Sequence, residues 1–332
     1  PLPLILALQD GFVTIAARGA ITLGSVYDPA SLPLSGTIQS LGVQPGDISF
    51  INNAAWGNHF TSYGAGSGVT LASTAGDVTA LTLDRSTATP DTSNSLFLHG
   101  NGSVAFPANT GTLLPATLDL VSLQGNVDLS GSTEANLVPI PTQTGNDTGT
   151  ISIVAAQTVR LGPSLNMRDL NTATTQYVGS AIPDIGSYIS PLGLLLPSLT
   201  QALHANDAEP VIIAAGQDIY AVNPATNKPT SMTLIKPARI EAGNNIYAAI
   251  AVAGGVATTS SGLQSVGFSF IGENNNAGDI TSIVAGNDLI GGNYLLYGPG
   301  TLLLQAGRNL GPFTPSGTPK AEQTRGIATV GD

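Results

Sequence analysis

Cysteine is absent from the 332-residue chain. Its absence excludes a disulfide scaffold, a thiolate zinc site and a cysteine nucleophile. Charge is scarce as well. Asp, Glu, Lys and Arg make up 9% of the residues, against a usual share of about 25%. The basic side is the poorer, with 10 Lys and Arg against 21 Asp and Glu and a net charge of -11. Nucleic acid, whose phosphates call for Lys and Arg, is therefore not an expected partner, and neither is a polybasic membrane contact. Aromatic residues are only 5%. No apolar run reaches the ~18 residues of a membrane-spanning helix.

What is present is apolar and small. Hydrophobic residues reach 42% and glycine 40 positions, which separates the chain from a disordered polar tract. Val, Ile, Leu, Ala and Gly in these proportions suit short strands joined by tight turns. The chain opens Pro1-Leu2-Pro3-Leu4 without a basic n-region, unlike a signal peptide. Both ends are expected to be cuts within a longer protein.

A repeated phrase organises the sequence. Apolar residues precede Ala-Gly-x-Asp/Asn-Ile/Leu at Ile212–Tyr220, Ala238–Tyr247, Ile283–Ile290 and Leu302–Leu310. Its glycines, Gly216, Gly243, Gly286 and Gly307, lie 27, 43 and 21 residues apart. A period of roughly 21 residues fits, once lengthened by a loop and once doubled. Degenerate copies cover Val13–Leu23, Val69–Val78, Leu118–Leu129 and Ile151–Leu161, the last with Ala156 in the glycine slot. Each flank alternates, as at Val69/Leu71 and Leu118/Leu120, so each copy reads as strand, corner, strand. The glycine is expected to supply φ > 0, and the Asp or Asn a turn.

One such coil cannot bury its apolar face, but coils stacked at ~4.8 Å can. The fold expected is all-β: a parallel β-helix with loop insertions and one short helix. About 10–14 coils would make a rod on the order of 50–65 Å long. A β-sandwich would show turns without a recurring phrase, and the leucine-rich-repeat frame is absent. Three parts are expected: β-helix with irregular loops over 1–162, an insertion over 163–210, and regular coils with an extended tail over 211–332. Loop-rich stretches interrupt the first part at 25–68 and 84–110, and a polar loop is expected at 257–262. The short helix should start at Pro197, where Leu199, Ala202 and Leu203 share one face.

The Ala-Gly-x-Asp/Asn-Ile/Leu phrase resembles the repeat of the filamentous haemagglutinin family, large exoproteins of two-partner secretion. The ending Leu304–Pro312, with Gly326–Gly331 after it, is similar to a C-terminal-side segment of such proteins. The resemblance implies a right-handed parallel β-helix, export by an outer-membrane partner transporter and a place outside the cell, secreted or on the bacterial surface. It further implies adhesion to a host or bacterial glycan or protein, biofilm contacts, and self-association into filaments. The Asn-Pro-Asn-Gly type of signature that marks the family's secretion domain is missing; Asn223-Pro224-Ala225-Thr226 does not replace it. The chain is therefore expected to be shaft.

The same sequence bears on enzymatic alternatives. His59, His99 and His204 sit in no metal-binding phrase and read as loop residues. Gly64-Ala65-Gly66-Ser67-Gly68 has its serine in the wrong slot for a nucleophile elbow. The Gly-Gly-x-Gly-x-Asp phrase of a calcium roll is also absent. No cofactor, metal or catalytic residue is expected. A polysaccharide hydrolase or lyase is the rival reading, because such enzymes use parallel β-helices and need converging carboxylates. Asp77, Asp84, Asp119 and Asp128 are the candidates: Asp77 in a corner, Asp84 beside Arg85, and Asp119 and Asp128 facing solvent by alternation. Tyr220 and Tyr247 share one place in two copies, outward of Ile219 and Ile246. They are expected to stack as an aromatic stripe able to hold a sugar or a protein unless residues 223–235 cover them. Trp56 reads as a loop anchor. Asn101-Gly102-Ser103 and Asn146-Asp147-Thr148 fit the glycosylation triplet.

Overall fold

The computed structural model describes residues 3–27, 66–80, 112–131, 135–137, 149–162, 164–167, 207, 209–223, 229–249, 251–252, 255–256, 269–311 and 326–330. Every regular element among them is a β-strand. The helix expected at Pro197 and the loops at 84–110 and 257–262 lie outside the described residues, as do Trp56 and both glycosylation triplets.

The strands form three parallel sheets. The eight-stranded sheet stacks β2 (Phe12–Ala17), β4 (Gly68–Ser73), β7 (Thr117–Ser122), β10 (Ile151–Ala155), β13 (Val211–Ala215), β16 (Ala238–Ala242), β21 (Ile280–Ala285) and β24 (Thr301–Ala306). The nine-stranded sheet stacks β1 (Leu4–Ala7), β3 (Ile21–Tyr27), β5 (Val78–Ala80), β8 (Val127–Asp128), β11 (Val159–Arg160), β14 (Ile219–Tyr220), β17 (Ile246–Ala248), β22 (Asp288–Gly291) and β25 (Asn309–Leu310). The seven-stranded sheet contains β6 (Thr112–Leu114), β9 (Ala135–Leu137), β12 (Ser164–Met167), β15 (Ser231–Leu234), β20 (Ser269–Glu273), β23 (Asn293–Tyr297) and β26 (Ile327–Val330). From β4 onward the chain visits the eight-, nine- and seven-stranded sheets in rotation. A two-stranded antiparallel hairpin, β18 (Ala251–Val252) with β19 (Gly255–Val256), interrupts one round.

Alternation decides what enters the core. In β10 and β13 the first, third and fifth residues are buried. Register then lines up like with like. Leu71, Leu120, Ile153, Ile213, Ile240 and Ile283 form one buried column. Burying each such side chain stabilises the fold by roughly 1.5–3 kcal/mol. The end members Ile15 and Leu304 are only partly buried, having a neighbouring layer on one side alone. Residues 164–167, within the range expected to be an insertion, form β12 and pair with β9 and β15.

The layers are fewer than the ~21-residue period suggests. β16 pairs directly with β21, so the 43-residue interval from Gly243 to Gly286 is one layer, not two. Its extra residues lie between β17 and β20. Among the described residues the eight-stranded sheet stacks eight strands, about 38 Å at ~4.8 Å each, against the 10–14 coils expected.

The three edges differ in kind. From the eight- to the nine-stranded sheet the chain always turns within a few residues, as from Ala215 to Ile219 or from Ala242 to Ile246. From the nine- to the seven-stranded sheet the connections range from Gly292 alone to 81–111. From the seven- to the eight-stranded sheet they range from 115–116 to the span separating Met167 from Val211.

Candidate functional site

The short edge is where the repeated phrase sits, and its glycines act by close approach. None of Gly216, Gly243, Gly286 and Gly307 is among the positive-φ glycines, so the φ > 0 expected of them is not their role. A Cβ on Gly243 would fall on the Gly216 carbonyl oxygen, and one on Gly286 on that of Gly243. The layers meet backbone to backbone here: Gly243 N–H donates to Ala215 O at 2.9 Å, and Asn244 N–H to Gln217 O at 2.7 Å.

Two corners carry one residue more, from Ser73 to Val78 and from Ser122 to Val127. In both, serine takes the inward slot held elsewhere by alanine. Ser122 Oγ accepts from Gly125 N–H at 2.9 Å and donates to Gly76 O at 2.8 Å. Ser73 does the same with Gly76 N–H and Gly19 O. The hydroxyl thus satisfies backbone groups that the longer turn would leave without partners.

The Asx residues form a column beside these glycines. Asp77 Oδ1 accepts from Asn126 N–H at 2.7 Å and Nδ2–H at 3.0 Å. Asn126 Oδ1 accepts from Thr158 N–H at 3.2 Å. Asp218 Oδ1 holds Asn245 in the same two-pronged way, both at 3.0 Å, and Asn245 Oδ1 accepts from Asp288 N–H at 3.2 Å. Asp288 in turn holds Asn309 and an Arg308 guanidinium. Within the column no Asp follows another Asp. Arg308, and then the bonds from Asn309, draw the Asp288 carboxyl down to about 2, against the opposing effect of desolvation.

Replacing Asn245 by aspartate puts three carboxylates in sequence. Repulsion at ~4 Å from a half-exposed neighbour, with the amide donor lost, is expected to cost about 2 kcal/mol at pH 7. Like charge raises the folded carboxyl pKa values above the unfolded ones, so the penalty grows as pH rises through ~4. The urea midpoint of Asn245→Asp should fall less below wild type at pH 4 than at pH 7. An equal fall at both would refute the charge argument.

On the outer face of the nine-stranded sheet, register makes a second column of Asp128, Arg160, Tyr220, Tyr247 and Ile290. The tyrosine rings stack at 4.7 Å with planes 15° apart. Arg160 lies 5.7 Å from the Tyr220 ring centroid and 3.9 Å from Asp128. Burial, and then the Asp218 charge, push the Tyr247 phenol up. The rings face along the column, so their π-faces are turned to one another and to Arg160, while the Tyr247 hydroxyl accepts from Asn245 Nδ2–H at 3.3 Å. A flat sugar face has no free ring to lie on between them. Of residues 223–235, 231–234 form β15 in another sheet; 224–228 lie outside the described residues.

The candidate acids among the described residues do not gather. Asp77 stands on the short edge, Asp119 on the outer face of the eight-stranded sheet and Asp128 on that of the nine-stranded sheet. Asp84, His59, His99 and His204 lie outside the described residues. Among those described, no group of three His, Cys, Asp or Glu could hold a metal, and no helix is long and apolar enough to cross a membrane.

Sequence reasoning missed a charged side chain that is, among the described residues, shut fully inside. Lys236, fully buried, sits where the chain turns from β15 to β16. Its Nζ donates to Gly149 O at 2.8 Å and to Asp207 Oδ2 at 2.7 Å. These partners precede β10 and β13, so one ammonium ties together the entries of three successive layers. Comparisons with family models, with curated proteins and with solved structures find no match.

Proposed function

We propose that the three sheets are the faces of one right-handed parallel β-helix. On this reading the chain is a structural shaft segment of a large secreted bacterial surface adhesin or filament of the filamentous haemagglutinin type. The observation that carries the reading is the eight-fold return of one corner in unbroken register, with variable connections leaving only from the other two edges. A rod of that kind holds segments of any length at fixed spacing, which is what a shaft does. Right-handedness is supported by the strong preference for right-handed crossovers between parallel strands. The use of the Asx, tyrosine and lysine side chains in binding one layer to the next supports a mechanical role over a chemical one.

In this role the partner is an outer-membrane transporter during export and a surface glycan or protein afterwards. The test places the chain behind the secretion domain of a two-partner exoprotein, co-expressed with its transporter. The expected result is a protease-resistant chain outside the cell. Folding and retention in the periplasm would contradict the proposal. Reducing ends released from polysaccharides by the purified chain would favour the hydrolase reading instead.

A further inference from the structure

The outer face of the eight-stranded sheet is the most regular surface among the described residues. No register shift breaks its strand pairs, so its outward residues stand in straight columns. One column runs through Ala72, Val121, Val154 and Ala214, all half-exposed. The column beside it carries Asp119 in the third layer, Ser152 and Ile212 at the centre, and Arg239 in the sixth. A third column exposes Phe12 at 53% in the first layer and Ile280 at 56% in the seventh. Apart from Asp119, Arg239 and Glu241, which continues the first column, its outward residues are uncharged and mostly small, and they carry little of what keeps a sheet surface single.

We propose that two copies of this chain pair through that face, antiparallel, about a twofold axis lying along the strands between β10 and β13. The occupant follows from where the charged and the large residues stand. Such an axis brings the third layer of one copy over the sixth of the other within the same column. Asp119 then meets Arg239 of the second copy, twice. Arg239 keeps its own Glu241, with Nη2 3.0 Å from Oε2, and its 60% exposed side chain is placed between two carboxylates. The second layer meets the seventh. Ile280 therefore lands on Gly68, beside the Phe12 ring against which a Cβ on Gly68 would press. Val154 meets Ala214 near the axis, and the small side chains let the sheets close to ~10 Å.

The face has the size for this. Eight layers at ~4.8 Å and three outward columns ~7 Å apart give on the order of 700 Å² per copy. Specific complexes bury about 800 Å² per partner, so the dimer belongs among the weaker ones, in the micromolar range. A twofold contact of this kind is closed and adds no third copy.

The test is sedimentation equilibrium of the whole 332-residue chain from about 1 to about 200 µM. The expected result is a monomer–dimer equilibrium with no larger species. Arg239→Asp and Asp119→Arg should each weaken it by about tenfold or more, and the double variant D119R/R239D should restore it to within about threefold. Unchanged urea midpoints in the single variants show that the fold is intact. A chain still monomeric at the top concentration overturns the proposal. Open-ended growth overturns it as well, and so does a dimer indifferent to both charge reversals.

Discussion

Lys236→Met should lower the stability of the chain by about 3–5 kcal/mol, the usual result of removing one partner of a buried ion pair. The ammonium is enclosed, and Asp207 beside it is only 11% exposed. Methionine matches the length of the stem but takes the ammonium away from Asp207 and the donor away from Gly149 O. The double variant Lys236→Met with Asp207→Leu should regain more than half of the loss, because the carboxylate goes together with its cation. Urea unfolding of the three chains at pH 7 decides the matter. A double variant no better than the single one would mean that the lysine acts by packing alone.

Gly243→Ala is the second large effect, expected at about 3 kcal/mol for a methyl forced into filled space. Nothing flexible can move aside: the obstruction is the Gly216 carbonyl, itself held in the layer stack. Relief requires the two layers to part locally, which breaks the bond from Gly243 N–H to Ala215 O. Gly278→Ala is the matched control, since a Cβ there meets open space, and it should stay within about 0.5 kcal/mol of wild type. Equal midpoints for the two variants would refute close approach as the reason for the corner glycine.

The two residues also mark how far the sequence could be read. A recurring phrase announces strand, corner and strand. Alternation alone places Tyr220 and Tyr247 outside and in stack, with Asp119 and Asp128 on outward faces. The reason for the glycine was not legible, because a left-handed backbone and a close neighbour both demand the same missing Cβ. The number of layers was misjudged because a connection can carry a hairpin and still close one round, as between β17 and β20. Lys236 was invisible for a different reason. Beside Pro237 it reads as an exposed turn, and its burial depends on Gly149 and Asp207, far upstream, arriving in the layers beneath it. No local pattern encodes that stacking. The stacking expected of the tyrosines is present, and a column at layer spacing turns each ring toward the next.

The unequal edges have a consequence for how such a chain can change. Lengthening a flexible connection costs only about 0.6 kcal/mol per doubling, so whole segments can be gained or lost at two edges without disturbing a single buried column. The short edge behaves as a reading frame. One residue added between Ala242 and Ile246 would turn β17 over and send Tyr247 inward, unless a hydroxyl is supplied as at Ser73 and Ser122. Two rims are therefore open to rewriting, and the third keeps the count.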